Sequence, residues 1–532
     1  MVSFIHPRVW LPVVGSLLLT VGLVRPVRWQ TQSTKYLGGA TPGRNYFLHP
    51  SGNDQASGDR LHPWQTLNRL NAVDLEPGDT VYLAAGSRFD GTLRLDSTDA
   101  GTADAPVVIT AWGRGKALLE AGNRAAVQLL QSHHVHVRNL SLRGNGRKRG
   151  NRESGLVIQN TQFIAVDSVD AQGFQKSGVL VQTASDIRLN RINAHDNGFA
   201  GIHVNGGQAK TGCQRIYIGY SRADNNPGDP TNHHNHSGNG IVVGMCRNVT
   251  IEYCAATNNG WDMPRKGNGP VGIWAWEADS VLIQHCLSYR NKTSPGAGDG
   301  GGFDLDGGVT HSVVQYCLSY ENQGSGFGIF QYKGASPWHD NTFRYNISER
   351  DGNGTAGGSL YIWNQTGDAQ QLRNGLFYNN VIYNPDGPAI RIADERWKED
   401  FRFYNNMLVG KDTLVKGDIS GMSFQANNWW SINGGFNIGG IRNFRQWSQQ
   451  TGQEQRNGQL VGHNHKPDFA QPGQTTLTDP TQLVNYLSYQ VNKKSPFVHQ
   501  GLDLAAETGI QPGNRTLNGK PVVRRGIGAS FR

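Results

Sequence analysis

Charge is scarce in this 532-residue sequence, at 17% of residues against about 25% in an average soluble domain. Cysteine is scarce as well. The five cysteines are an odd number with no CxxC or Cys/His zinc spacing, which favours buried thiols over a disulfide framework or a zinc site. Cys213, Cys246, Cys254, Cys286 and Cys317 are therefore expected to be buried small apolar residues. No compact Lys/Arg patch exists beyond Arg147-Lys148-Arg149, read as a solvated turn, so the net charge of +9 does not point to nucleic acid. It favours an acidic partner such as a uronate polymer. Long apolar runs are missing after the first thirty or so residues. Val9–Val24 is short for a membrane span and interrupted by Pro12. Residues 1–29 are expected to be an export signal, or a signal anchor, although no small-x-small cleavage site follows.

Glycine is abundant. The 69 glycines are nearly twice the average share of about 7%, and aromatic residues occur throughout. Such a composition excludes disorder and suits a β-rich chain with many tight turns. Residues 45–126 open with a strand pattern at Asn45–Leu48. His62–Leu75 follows, with Trp64, Leu67, Leu70 and Val73 at helical spacing, stopped by Glu76-Pro77-Gly78-Asp79. A helix and strands here suit a cap over the open end of a stacked sheet.

Residues 127–410 repeat. The segments ending at Leu140, Val169, Ile192, Ser221, Cys254, Cys286, Cys317 and Asn346 align with spacings of 29, 23, 29, 33, 32, 31 and 29 residues. Each unit holds two or three alternating strand patterns and Asn/Gly turns, with no amphipathic helix. That excludes leucine-rich and helical repeats, and the units are too short for propeller blades. An all-β, right-handed parallel β-helix with one coil per unit remains. Residues 411–532 lose the period and are expected to form an irregular C-terminal cap.

Several stretches carry a family resemblance: Tyr46–Asp54, Pro63-Trp64-Gln65-Thr66, Pro77-Gly78-Asp79-Thr80-Val81, the Gly/Asn-rich coils, and the ending Ser495-Pro496-Phe497 … Ile527-Gly528-Ala529. The chain resembles secreted bacterial right-handed parallel β-helix proteins of the pectate-lyase-like superfamily. That resemblance implies a polysaccharide lyase, a glycoside hydrolase or a uronate epimerase. The tail departs from it, since Gly526 after Arg525 stands where an acid is usual.

One strand of each later coil aligns on its glycine, from Gly201–Asn205 through Gly302–Asp306 to Ala389–Ala393. Alternation puts the second and fourth residues inward and the third and fifth outward. The outward column reads His203, Val242, Trp274, Asp304, Gly328, Tyr361, Arg391. Beside it run Asn205, Gly244, Trp276, Asp306, Phe330, Trp363 and Ala393. Solvent-facing Trp274 and Trp276 would flank the acids, with Phe330, Tyr361 and Trp363 on the other side, as stacking platforms for sugar rings. Asp304 and Asp306, roughly 6.6 Å apart at Cα, fit the carboxyl spacing of glycosidases, about 5–9.5 Å. Glu277 is the alternative acid partner. His203, His236, Arg391 and Lys333 are expected to contact sugar, with Asp262 and His339 in loops near the same wall.

The expected function is that of an exported enzyme that hydrolyses glycosidic bonds in a polysaccharide. Two alternatives remain. One is a calcium-assisted lyase in which Asp304, Asp306 and Glu277 hold the ion and Lys333 or Arg391 is the base. The other is a non-catalytic glycan-binding surface protein. Hydrolysis needs no cofactor. The protein is expected to be monomeric and secreted, periplasmic or at the cell surface, with no nucleic-acid partner and no membrane contact beyond its N-terminal segment.

Overall fold

The computed structural model describes residues 43–354, 357–393 and 398–531. The expected export segment lies outside them. Three parallel sheets of 14, 12 and 13 strands wind around one apolar core. One coil shows the pattern. Ala200–Asn205 belongs to the 12-stranded wall sheet, Cys213–Gly219 to the 14-stranded sheet and Arg222–Asp224 to the 13-stranded sheet, before Asn239–Gly244 returns to the wall.

The register follows the sequence repeat residue for residue. Val135, Ile164, Ile187, Ile216, Val249 and Val281 lie in line in the 14-stranded sheet. In the wall sheet the line is Ile202, Ile241, Ile273, Phe303, Phe327, Leu360 and Ile390. These side chains stack inside the coil and are almost wholly buried. Each removes enough apolar surface from water to contribute roughly 1.5–3 kcal/mol.

Two of the three corners of each coil carry stacked inward side chains. At the first, a residue in the left-handed region precedes an inward Asn: Asp196 before Asn197, Asn225 before Asn226, Asn258 before Asn259, Arg290 before Asn291 and Glu321 before Asn322. The Asn side chains form a buried ladder. Asn226 Oδ1, for example, accepts from Asn197 N and Nδ2, both at 3.1 Å. The ladder satisfies turn amides that no sheet reaches. At the second corner the inward position holds Cys254, Cys286 and Cys317, then Asn346, Asn380, Asn406 and Asn427. All five cysteines are free and buried.

The ends differ from the sequence reading in two ways. The helix expected over residues 62–75 is a single turn, Leu67–Leu70, capped by Thr66. Asp54 holds the preceding chain extended by accepting from Gln65 N, Thr66 N and Thr66 Oγ1, so Trp64 packs on Tyr46 from outside any helix. The coils also run past residue 410, through Val415–Lys416, Met422–Gln425 and Asn428–Ser431. Helix Phe444–Thr451 then closes the end, with Trp447 against Trp429 and Phe436. The remaining tail packs back along the outside of the coil.

Candidate active site

Asp304 lies in wall strand Gly301–Leu305, between Trp274 of the preceding coil and Gly328 of the next. Phe303 and Leu305 point into the core, so Asp304 and Asp306 share the outer side. The wall is not bare, however. Asp304 is 2% exposed, and its Oδ1 is buried without a hydrogen-bond partner among the described residues. A carboxylate so placed loses hydration with no replacement. Burial first, then the nearby Asp306 and Asp299, push its pKa well above the usual carboxylate range. Asp306 is half-buried, accepts from Gly307 N at 2.7 Å and is pushed up to about 7. Burial is the main cause, opposed by the Gly307 N–H and reinforced by Asp299 and Glu277. The two acids ionise as a pair.

Two acids complete the cluster. Glu277 sits at the end of the Trp274 strand with its carboxylate against Gly308. Its Oε1 accepts from Ser336 N at 2.7 Å, and Oε2 is 3.3 Å from Lys210 Nζ. Lys210 also donates to Gly308 O. Asp299, in the loop before the Asp304 strand, accepts from Gly269 N at 2.7 Å. Burial raises it to about 6, against the pull of Arg265. The Tyr332 ring lies over Gly307, and burial with the Asp306 and Glu277 charges raises its phenol. Sequence reasoning missed Asp299, Lys210, Arg265 and Tyr332. Asp299 stands two residues outside the strand alternation, and the others come from turns whose folding the repeat does not fix.

The aromatic wall needs correction. Trp274 is buried, not solvent-facing. Its Nε1 donates to Asn239 Oδ1 at 3.1 Å, and the His236 ring meets it edge-on at 4.8 Å. The loop ahead of Asn239 folds over this indole, and a small apolar cluster with Ala200, Val242 and Val271 results. Phe330 is buried too, folded over Gly328 beside Asp304 Oδ1. Trp276, lying over Gly244, and Tyr361 and Trp363, both edge-on to Phe330, remain half-buried. Arg391 stacks on Tyr361 at 5.2 Å.

The expected polar contacts divide similarly. His236 is buried, and its Nδ1 lies 3.0 Å from Asn239 Nδ2. The same Asn239 side chain accepts from Trp274, so Nδ2 is the donor and His236 carries its proton on Nε2. Burial lowers His236 to about 3 and His203 to about 4, so both imidazoles are neutral. Phe199 bridges them. Lys333 is exposed in the turn after Phe327–Gln331. His339 belongs to the 14-stranded sheet and not to this wall. Asp262 pairs with Lys148 at 2.6 Å and with half-buried Arg147, so the basic run is partly an anchor for this loop and not a wholly solvated turn. A polar concavity of about 380 Å³ lies elsewhere, lined by Asn160, Thr161, Thr183 and Gln214 among others. It contains none of these acids, and ionisable chemistry, not volume, marks the Asp304 cluster as the candidate site.

The family described as Pel9A-like, right-handed β-helix region matches residues 46–355. The chain belongs to that family. As a Pel9A-like β-helix protein it is 25% identical over 484 residues to a lacto-N-biosidase of Bifidobacterium longum subsp. longum. That match spans 66% of this chain and 30% of the relative, so the chain covers under a third of the relative's length. Among solved structures, the lacto-N-biosidase of Eubacterium ramulus superposes with a TM-score of 0.47 at 17% identity, covering 73% of this chain and 68% of that one. Pectate lyase Pel9A gives 0.46 at 14% identity, covering 92% and 98%. The family match spans every strand that carries the acid cluster of this Pel9A-like protein.

Proposed function

We propose that the protein is a carbohydrate-active enzyme that hydrolyses glycosidic bonds, with Asp304 and Asp306 as its catalytic pair. The observation that carries this reading is Asp304 itself, a buried carboxyl with an unpartnered oxygen beside a second acid raised to about 7. Above that pH the pair holds one proton, and Asp304 is the member that keeps it. Substrate enters from the more open Asp306 side. Asp304 gives its proton to the glycosidic oxygen as the C–O bond breaks. Asp306 attacks the anomeric carbon or takes a proton from the water that does. Half-buried Trp276, Tyr361 and Trp363 offer ring faces to the sugar, and Arg391 and Lys333 offer donors. The curated relative bears the name of a glycosidase, which supports hydrolysis over elimination.

The second reading, a calcium-assisted lyase with Lys333 or Arg391 as the base, finds less support in these acids. Among the described residues no three of Asp299, Asp304, Asp306 and Glu277 bring carboxylate oxygens within 4.8 Å of one another, as a shared ion would need. Both Glu277 oxygens are engaged by Ser336 N and Lys210 Nζ.

The test is incubation with a panel of uronate polymers, neutral polysaccharides and lacto-N-type oligosaccharides. Reducing ends and the ultraviolet absorbance of unsaturated uronates are followed together. Reducing ends without absorbance, unaffected by a chelator and lost in Asp304→Asn, are expected. Absorbance that a chelator abolishes would overturn hydrolysis, and binding without any product would leave a glycan-binding protein.

A further inference from the structure

A second cluster of ligating side chains lies outside the acid wall, on the 14-stranded sheet. His339 and Asp340 are in strand Trp338–Arg344. His311 is in the corner one coil earlier, just after Thr310, which pairs with His339. One ligating atom from each of His311, His339 and Asp340 falls within 4.8 Å of the other two.

The surroundings of the cluster orient these atoms. His311 Nδ1 is 2.7 Å from Asp279 Oδ1. A carboxylate can only accept, so Nδ1 holds a proton, and in the neutral imidazole the lone pair then lies on Nε2. That Nε2 is 3.8 Å from Asp340 Oδ2. Asp279 is itself fixed by Thr310 Oγ1 at 2.8 Å, Ser280 Oγ at 3.1 Å and Arg247 Nε at 3.2 Å. Asp340 Oδ1 accepts from Asn374 Nδ2 at 2.9 Å, while Oδ2 lies 2.7 Å from His339 Nδ1. His311 Nε2 and His339 Nδ1 thus face one carboxylate oxygen. By the same rule His339 Nδ1 donates to it, so an ion entering there displaces that proton, as metal binding commonly does. His311 and Asp340 each have an outer partner holding them in place. An ordinary ion pair does not require this. His311 already has its carboxylate in Asp279, yet its second nitrogen still faces Asp340.

We propose that His311, His339 and Asp340 bind one divalent transition-metal ion of the zinc type. Two imidazoles and a carboxylate are borderline donors suited to zinc, nickel or copper, whereas calcium and magnesium require oxygen alone. The Asp279–His311 contact matches the carboxylate–histidine pairing that orients metal ligands. The His311 side chain is 56% exposed, so the ion enters from solvent, and three protein ligands leave a position for water. The site is independent of the proposed hydrolysis.

Zinc titration of the full chain by calorimetry tests this, with cobalt as a coloured reporter of tetrahedral coordination. One equivalent is expected to bind. His311→Ala and His339→Ala are each expected to weaken binding at least about tenfold, and Asp279→Asn, which touches no metal, by about tenfold with the stoichiometry kept. The double variant is expected to bind none. Asp340→Asn preserves side-chain shape and serves as the parallel variant where an alanine substitution shifts thermal unfolding. Absence of binding up to about 1 mM zinc, a free energy near −4 kcal/mol, overturns the proposal. Unchanged affinity in the double variant overturns it equally, since the metal would then sit on other histidines.

Discussion

Asp304 is a residue the folded protein holds at a cost. Its carboxyl and that of Asp306 are raised above their unfolded values, chiefly by burial. For an acid raised in this way, stability is fully present below the unfolded pKa near 3.8 and is lost as pH rises through the folded one, near 7 for Asp306. Replacing a charge-prone acid with its amide removes that loss. Asp304→Asn is therefore expected to raise the melting temperature at pH 8 while lowering kcat by about 10²–10⁴. Thermal unfolding and kinetics on the same samples check both, and a variant that is both unstable and inactive would mean that Asp304 only supports the wall. In wild type the acidic limb of the pH–rate profile is expected near 7, where the pair loses its first proton. Asp299→Asn removes a like charge from the cluster and is expected to move that limb to lower pH. Which acids face outward was legible from alternation alone, because Phe303 and Leu305 can satisfy only the core. The cover over Trp274 was not legible. It depends on how the loop containing His236 folds, and no periodicity governs a loop.

At the scale of the repeating element, the register was readable because each corner repeats the same requirement: a left-handed residue, then an inward side chain that fits the stack. The Asn ladder was less visible, since Asn in turns has many uses. It ends at Asp351, whose Oδ1 accepts from Asn322 N and Nδ2, both at 2.9 Å. Its Oδ2 meets Ser348 Oγ at 2.6 Å. One and two rungs earlier, Asn322 and Asn291 place Nδ2 against Ser319 and Ser288 in the same way. An Asn at 351 would thus extend the ladder by a rung. Burial raises Asp351 from 3.8 to about 7 in spite of its hydrogen bonds. Its ionisation therefore costs stability between about pH 4 and pH 7. Asp351→Asn is expected to stabilise the protein at pH 8, by up to about 4 kcal/mol, and to change little at pH 4. Denaturant unfolding at both pH values measures the difference. Equal stabilisation at both would assign the effect to the new hydrogen bond and not to the buried charge.

Across the whole molecule, the last coil and the flank of the coil are covered by different segments. Helix Phe444–Thr451 covers the last coil through Trp447 and Trp429. The tail beyond it has a different task. Tyr289, Tyr320, Tyr345 and Tyr378 form part of an apolar strip outside the core, and the tail covers that strip with Leu483, Tyr486, Tyr489, Phe497, Ile527 and Phe531. Polar contacts fix the alignment. Buried Glu349 accepts from Thr475 N at 2.9 Å, Thr475 Oγ1 at 2.7 Å and Gly473 N at 3.2 Å. Asn405 exchanges hydrogen bonds with Leu502 N and O. Without the tail, Glu349 would be left with unmet demand in an apolar setting, and the strip would join the exposed patches that drive association. A chain ending at residue 462 keeps the terminal helix and every sheet strand that builds the acid cluster. It is expected to bind a hydrophobic dye, to self-associate in sedimentation and to melt well below the full chain. Glu349→Gln in the full chain separates the two causes, because it weakens the polar alignment without uncovering the strip. If the truncated chain stays monomeric at an unchanged melting temperature, the coil is self-sufficient and the tail is an appendage.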